Sequence, residues 1–150
     1  MASTASLPAP DLQTAATIIE TARAMVGKAV RNLAANGGPD VQQVLAYDLA
    51  HAAAAVETAR SMLDYGAKGD AEARLTCAFT ADMVHDLVTR LIGRENLWGV
   101  TAADLSFGHD FVSAFRSPAF LASLADQQGP RHLDADFEMV QRSEEHTSEL

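Results

Sequence analysis

Three long stretches of this chain carry apolar side chains at helical spacing, and each ends in a short glycine-bearing or polar turn. In the first, about residues 11–35, Ala15, Ile18, Ile19, Ala22, Met25, Val26, Ala29, Val30 and Leu33 follow the i, i+3, i+4, i+7 pattern of one helix face. Glu20, Lys28 and Arg31 fall on the opposite face. Asn36-Gly37-Gly38-Pro39 stops this helix, and Asp40 stands where a carboxylate could cap the next one. The second stretch, about 40–66, lines up Val41, Val44, Leu45, Leu49, Ala52, Val56, Ala59 and Leu63. Gly66 to Asp70 is the second turn, again with an aspartate in capping position. The third, about 71–93, carries Phe79, Met83, Val84, Leu87, Val88, Leu91 and Ile92. Long amphipathic helices joined by short turns predict an all-α fold, an antiparallel bundle of three to four helices followed by shorter ones.

Composition agrees with that reading. The chain is 48% hydrophobic and 21% charged, and much of the apolar share is alanine, the best helix former and a poor strand residue. Shorter pieces follow Trp98, with Phe107, Phe111, Phe115 and Phe120 at helical spacing and read as core. Ser117-Pro118 is a helix start, a capping hydroxyl followed by proline at the first helical position. Four segments result: a disordered leader over 1–10, a bundle domain over 11–129, the start of a following domain over 130–141, and a tail over 142–150.

Charge and cysteine usage exclude several classes. Against 11 Lys and Arg stand 20 Asp and Glu, a formal charge of −9, with no basic stripe to follow a phosphate backbone. No apolar run approaches the about 20 residues that a membrane span needs. Residues 1–10 lack the basic and apolar regions of a secretion signal. With Cys77 as the single cysteine there is no internal disulfide. The expected compartment is the cytoplasm, without nucleic-acid or membrane partners.

The sharpest chemical pattern is a repeated Asp-x-x-His, Asp48…His51 on the second helix and Asp82…His85 on the third. Carboxylate-bundle metal proteins use paired Glu-x-x-His motifs, with a further carboxylate from each of two other helices. The i, i+3 spacing fits, but Asp82 and His85 lie on the polar side of their helix by wheel angle. The first helix offers only Glu20, also on its polar side. Asp48 differs, because it falls within an apolar stripe between Leu45 and Leu49. Buried unpaired it would be costly, so a partner is expected, Arg23 or Arg90 from a neighbouring helix. A structural ion pair is the first explanation and a docking contact the second.

Cys77 with His51, His85, His109 or His132 could nominally form a nucleophile and base. Nothing local activates the thiolate, and a lone cysteine in an alanine-rich helix reads as a packing residue. Gly37-Gly38 and Gly66…Gly69 follow no strand and precede neither Lys-Ser nor Lys-Thr, so they are helix stops rather than phosphate loops. No residue of the chain is assigned a catalytic, cofactor-binding or metal-binding role.

Two resemblances complete the reading. Arg142 to Leu150, Arg-Ser-Glu-Glu-His-Thr-Ser-Glu-Leu, resembles a translated sequencing-library adapter, which makes Gln141 the expected last native residue. Without its one Arg and three Glu the charge moves from −9 to −7, still acidic. Tyr47-Asp48-Leu49-Ala50 through Val56-Glu57-Thr58-Ala59-Arg60 resembles the first long helix of the C-terminal bundle of acyl-CoA dehydrogenases. His132-Leu133-Asp134-Ala135-Asp136-Phe137-Glu138-Met139-Val140 resembles the start of their catalytic core. A helical extension before the core is similar to the methylsuccinyl-CoA dehydrogenase branch. The resemblance implies a parent flavoprotein that oxidises an acyl-CoA thioester with FAD, its catalytic glutamate, flavin loops and CoA pocket all beyond Gln141. The extension would then contact the rest of its own polypeptide and the other subunits of a homo-oligomer, and reach acyl-CoA only through that core. A stand-alone helical interaction module and a carboxylate-bundle metalloprotein using Asp48, His51, Asp82 and His85 are the rival readings.

Overall fold

The computed structural model describes residues 6–125, and every regular element among them is helical. The expected start of a following domain over 130–141, residues 126–129 of the bundle segment, the tail and His132 all lie outside the described residues. Helix α1 spans Leu12–Ala35 and is started by Asp11. One Asp11 carboxylate oxygen accepts the Thr14 N–H at 2.9 Å and the other accepts the Thr14 hydroxyl at 2.6 Å, satisfying an end the helix cannot satisfy itself. Asn36 closes α1, its N–H donating to Asn32 O.

The turn that follows differs from the expectation. Gly37 and Gly38 adopt φ of +99° and +74°, values that L side chains rarely take, and reverse the chain. A one-turn helix, α2 (Gly38–Val41), then forms around Pro39 before Gln42 interrupts it. Asp40 therefore lies inside α2 and does not cap the next long helix, α3 (Gln43–Gly66), which starts from Gln42 without a side-chain cap. Asp70 is likewise the first residue of α4 (Asp70–Leu91), preceded by Gly69 with no side-chain cap. In the first turn it still places negative charge against the helix dipole.

Helices α1, α3 and α4 each touch the other two. Their shared core combines Ile19, Leu45, Leu49, Val56, Val84, Leu87 and Leu91 with alanines 15, 22, 29, 52, 59 and 81. The small side chains let the helix axes approach closely while the branched ones fill the space between. Four residues placed on apolar stripes by wheel angle instead face solvent: Val30, Val41, Val44 and Ile92 are 48%, 72%, 61% and 61% exposed. Val41 escapes because α2 is set off from α3, and Ile92 because α4 ends one residue before it.

Gly66 ends α3 inside the core, where a Cβ would come within 2.7 Å of Thr76 Oγ1 and 3.0 Å of Leu12 Cδ2. The Thr76 hydroxyl shares its proton between Met62 O at 2.9 Å and Glu72 O at 2.8 Å, tying the end of α3 to α4. Beyond α4 come α5 (Glu95–Trp98), a 3-10 turn (Ala102–Ser106), α6 (His109–Phe115) and α7 (Pro118–Ala125). Asn32 Nδ2 donates to Leu97 O at 2.7 Å and fastens α5 to α1, with Trp98 fully buried beneath. Three of the four phenylalanines are core as expected, with the rings of Phe111 and Phe115 4.5 Å apart and those of Phe115 and Phe120 5.1 Å apart, while Phe107 is only half-buried against them. Ser117 caps α7 by accepting the Phe120 N–H at 3.3 Å. No described helix is long and apolar enough to cross a membrane.

Candidate functional site

The two Asp-x-x-His motifs occupy adjacent helices, yet their carboxylates have opposite environments. Asp48, in the second turn of α3, has a side chain only 7% exposed and stands where α3 passes the end of α4. Arg94 Nη1 donates directly to Asp48 Oδ2, and Arg90 Nη1 lies 3.5 Å from Oδ1. Each guanidinium thus meets a different carboxylate oxygen, the charge-assisted arrangement a buried carboxylate requires. Of the two arginines expected to reach Asp48, Arg90 does so and Arg23 does not. Arg23 is held on the outer face of α1 and α3 by Glu57 at 3.1 Å and Glu20 at 3.8 Å. Arg94 was not foreseen, because it follows Gly93, whose φ of +81° turns the chain back across the start of α3.

Asp82, by contrast, is 64% exposed and pairs at 2.9 Å with Arg116 Nε from the end of α6. His51 faces solvent and sets its ring edge against Tyr47, 4.4 Å between centroids. His85 Nδ1 is buried and 3.5 Å from Asp86 Oδ1, without the alignment of a hydrogen bond. Both aspartates of the would-be metal set are therefore engaged by arginines. Among the described residues no three of His, Cys, Asp and Glu come together as a metal ion would require.

Cys77 is fully buried in α4 and accepts the Asp11 N–H on Sγ at 3.3 Å. Burial pushes the thiol above its ordinary pKa, more than that hydrogen bond lowers it. Its charged neighbours are Asp11 and Arg74 rather than a histidine, so it is a packing thiol that also fixes the approach of the chain to α1. His109 begins α6 at the surface, where it shares a cleft of about 140 Å³ with His85, walled mainly by Val84, Val88 and Phe107.

Among the described cavities, a groove of about 640 Å³ between α3, α4 and α7 is lined by Met62, Tyr65, Phe79 and Leu121, with Asp82 as its charged wall. That aspartate is the one already paired with Arg116 at 2.9 Å. A second cleft, about 310 Å³, is polar and lined by Asp48, Thr89, Arg90, Ile92 and Arg94. The outer parts of Arg90 and Arg94 remain 35% and 44% exposed there.

No protein-family model matches the chain, and no curated protein or solved structure matches it significantly.

Proposed function

We propose that this chain is a non-catalytic helical domain that works by packing against other protein. The single observation that carries the reading is the use of its one buried carboxylate among the described residues, Asp48, on two arginines rather than on a metal, substrate or catalytic partner. The arrangement proposed is an antiparallel bundle of α1, α3 and α4, supported by their short connections and mutual contacts.

Within that reading, the domain accompanies an FAD-dependent acyl-CoA dehydrogenase-like core, the α,β-oxidation and the flavin belonging to that core. The support is the similarity of Tyr47 to Arg60, which forms the middle of α3, and of His132 to Val140, which lies outside the described residues. Sequencing the source locus across codon 141 tests it. The frame is expected to continue into several hundred residues of helical core with an acidic catalytic residue, and the full-length product to purify with a flavin absorbance. Native codons for Arg142 to Leu150 followed by a stop would overturn it.

A second reading, a stand-alone interaction module, is favoured by the exposed apolar side chains of Val44, Tyr47 and Ile92. Such a module would present that surface without any catalytic core, and the same locus result separates the two.

A further inference from the structure

Leu75, Phe79 and Asp82 follow one another at i, i+4 and i+7 along α4 and line the groove of about 640 Å³, together with Met62 and Tyr65 of α3 and Leu121 of α7. Asp82 is already held by Arg116, so what the groove still offers is mainly apolar. Met62, Tyr65, Leu75 and Phe79 are half-buried, and Leu121 is 42% exposed. Phe120 and Leu124 of the same short helix join the core, whereas Leu121 lines this groove instead.

We propose that this groove is the seat of the chain's own residues 133–140, with Leu133, Phe137 and Val140 packed against Met62, Leu75, Phe79 and Leu121. The inference rests on the reading of the chain as a packing domain and deepens it, by naming as its first partner the segment that follows it. It does not depend on a flavoenzyme core.

Length and spacing choose the occupant. Leu121 stands four residues before Ala125, where α7 ends, so the chain leaves the described helices close to the groove. From there residues 126–132 can reach about 25 Å when extended. Gly129-Pro130 lies among them and suits a reversal of the chain better than a continued helix. Leu133, Phe137 and Val140 then fall at i, i+4 and i+7, one apolar face over two helical turns, about 12 Å. Leu75, Phe79 and Asp82 have the same spacing on α4, and faces of equal length and period are what ridge-into-groove packing joins. Asp134 and Glu138 fall away from the apolar face by wheel angle. A segment tethered this closely is present at a roughly millimolar effective concentration, an advantage that neither a free partner nor a second copy shares.

The test is paramagnetic relaxation enhancement by NMR in the full chain, with a nitroxide on Glu138→Cys, outside the proposed contact. Cys77 is fully buried and does not compete for the label. The methyl signals of Met62, Leu75 and Leu121 are expected to lose more than half their intensity. Those of Val44 and Ile92 should keep theirs, because Val44 lies about 27 Å from Met62 along α3. Phe137→Ser is expected to abolish most of the loss and to raise the binding of an apolar fluorescent dye several-fold, with helicity by circular dichroism unchanged. Leu121→Ser, at a position already 42% exposed, is the reciprocal variant on the groove wall and should act alike. Even loss over the whole surface, loss centred elsewhere, the same loss when only a second copy carries the nitroxide, or equal dye binding by wild type and Phe137→Ser would each overturn the proposal. A locus that stops at Leu150 would remove the flavoenzyme reading and leave these spectra unchanged. Spectra without the groove losses, beside a locus that continues, would remove only the docked segment.

Discussion

Asp48 and Asp82 begin the same four-residue motif on neighbouring helices, and each ends beside an arginine, but only one of them is buried. Asp48 is 7% exposed with two guanidiniums on its two oxygens, whereas Asp82 is 64% exposed with one. Spacing made the motifs look equivalent, since i and i+3 share a helix face wherever the motif falls. What separates them is which face that is. In α3 the aspartate interrupts the apolar stripe between Leu45 and Leu49, so removal from water forces full pairing. In α4 it stands outside Met83, Val84 and Leu87, where water screens the charge and a partner is optional.

The largest expected effect follows from removing the buried member. Asp48→Ala strands two partly buried arginines and is expected to destabilise the fold by about 2–3 kcal/mol, below the range for a fully buried pair because the guanidiniums can recover some water. Urea unfolding followed by the fluorescence of Trp98, the single tryptophan, measures it. A loss no greater than that of an exposed aspartate would break the contrast.

A third aspartate lies between these extremes. Asp11 is exposed, yet the hydrogen bonds it accepts from the side chain and backbone of Thr14 hold its carboxyl below the ordinary value of 3.8. A group whose folded pKa is depressed stabilises fully above its unfolded pKa and loses that contribution as pH falls through the folded one. Asp11→Ala is therefore expected to cost about 1 kcal/mol at neutral pH. The gap between wild type and variant should close as the pH drops below 3.8, which paired urea titrations would follow. A gap independent of pH would show that the cap acts without its charge.

Asp82→Ala should cost less than about 0.5 kcal/mol, and that small loss should shrink further in high salt. Smallest of all is the effect on metal. The double substitution His51→Ala and His85→Ala is expected to leave the metal content of the purified protein unchanged by elemental analysis, because arginines already hold both aspartates. A stoichiometric metal lost in that variant would restore the carboxylate-bundle reading.

Much of the fold was legible because periodicity reports burial directly. The extents of α1 and α4, the Asp11 start, the Ser117-Pro118 start and the buried phenylalanines all follow from local pattern. The misreadings cluster where the backbone leaves helical geometry. Gly37 and Gly38 take positive φ and let Pro39 open a separate turn, so Asp40 loses its capping position and Val41 its face. At Gly93 another positive φ carries Arg94 across to Asp48, a contact no helical wheel can anticipate. The need for a partner at Asp48 was readable from burial. The identity of the second arginine was not, because it depends on one turn between elements.

A double-mutant cycle on each aspartate–arginine pair tests the contrast most directly. Asp48→Ala with Arg94→Ala, and Asp82→Ala with Arg116→Ala, would be unfolded in urea alongside their single variants. The coupling expected for Asp48 and Arg94 is about 1.5–2 kcal/mol, against less than about 0.5 kcal/mol for Asp82 and Arg116. Equal couplings, or a larger one for the exposed pair, would contradict the claim that burial within α3 makes Asp48 the anchored charge of this domain.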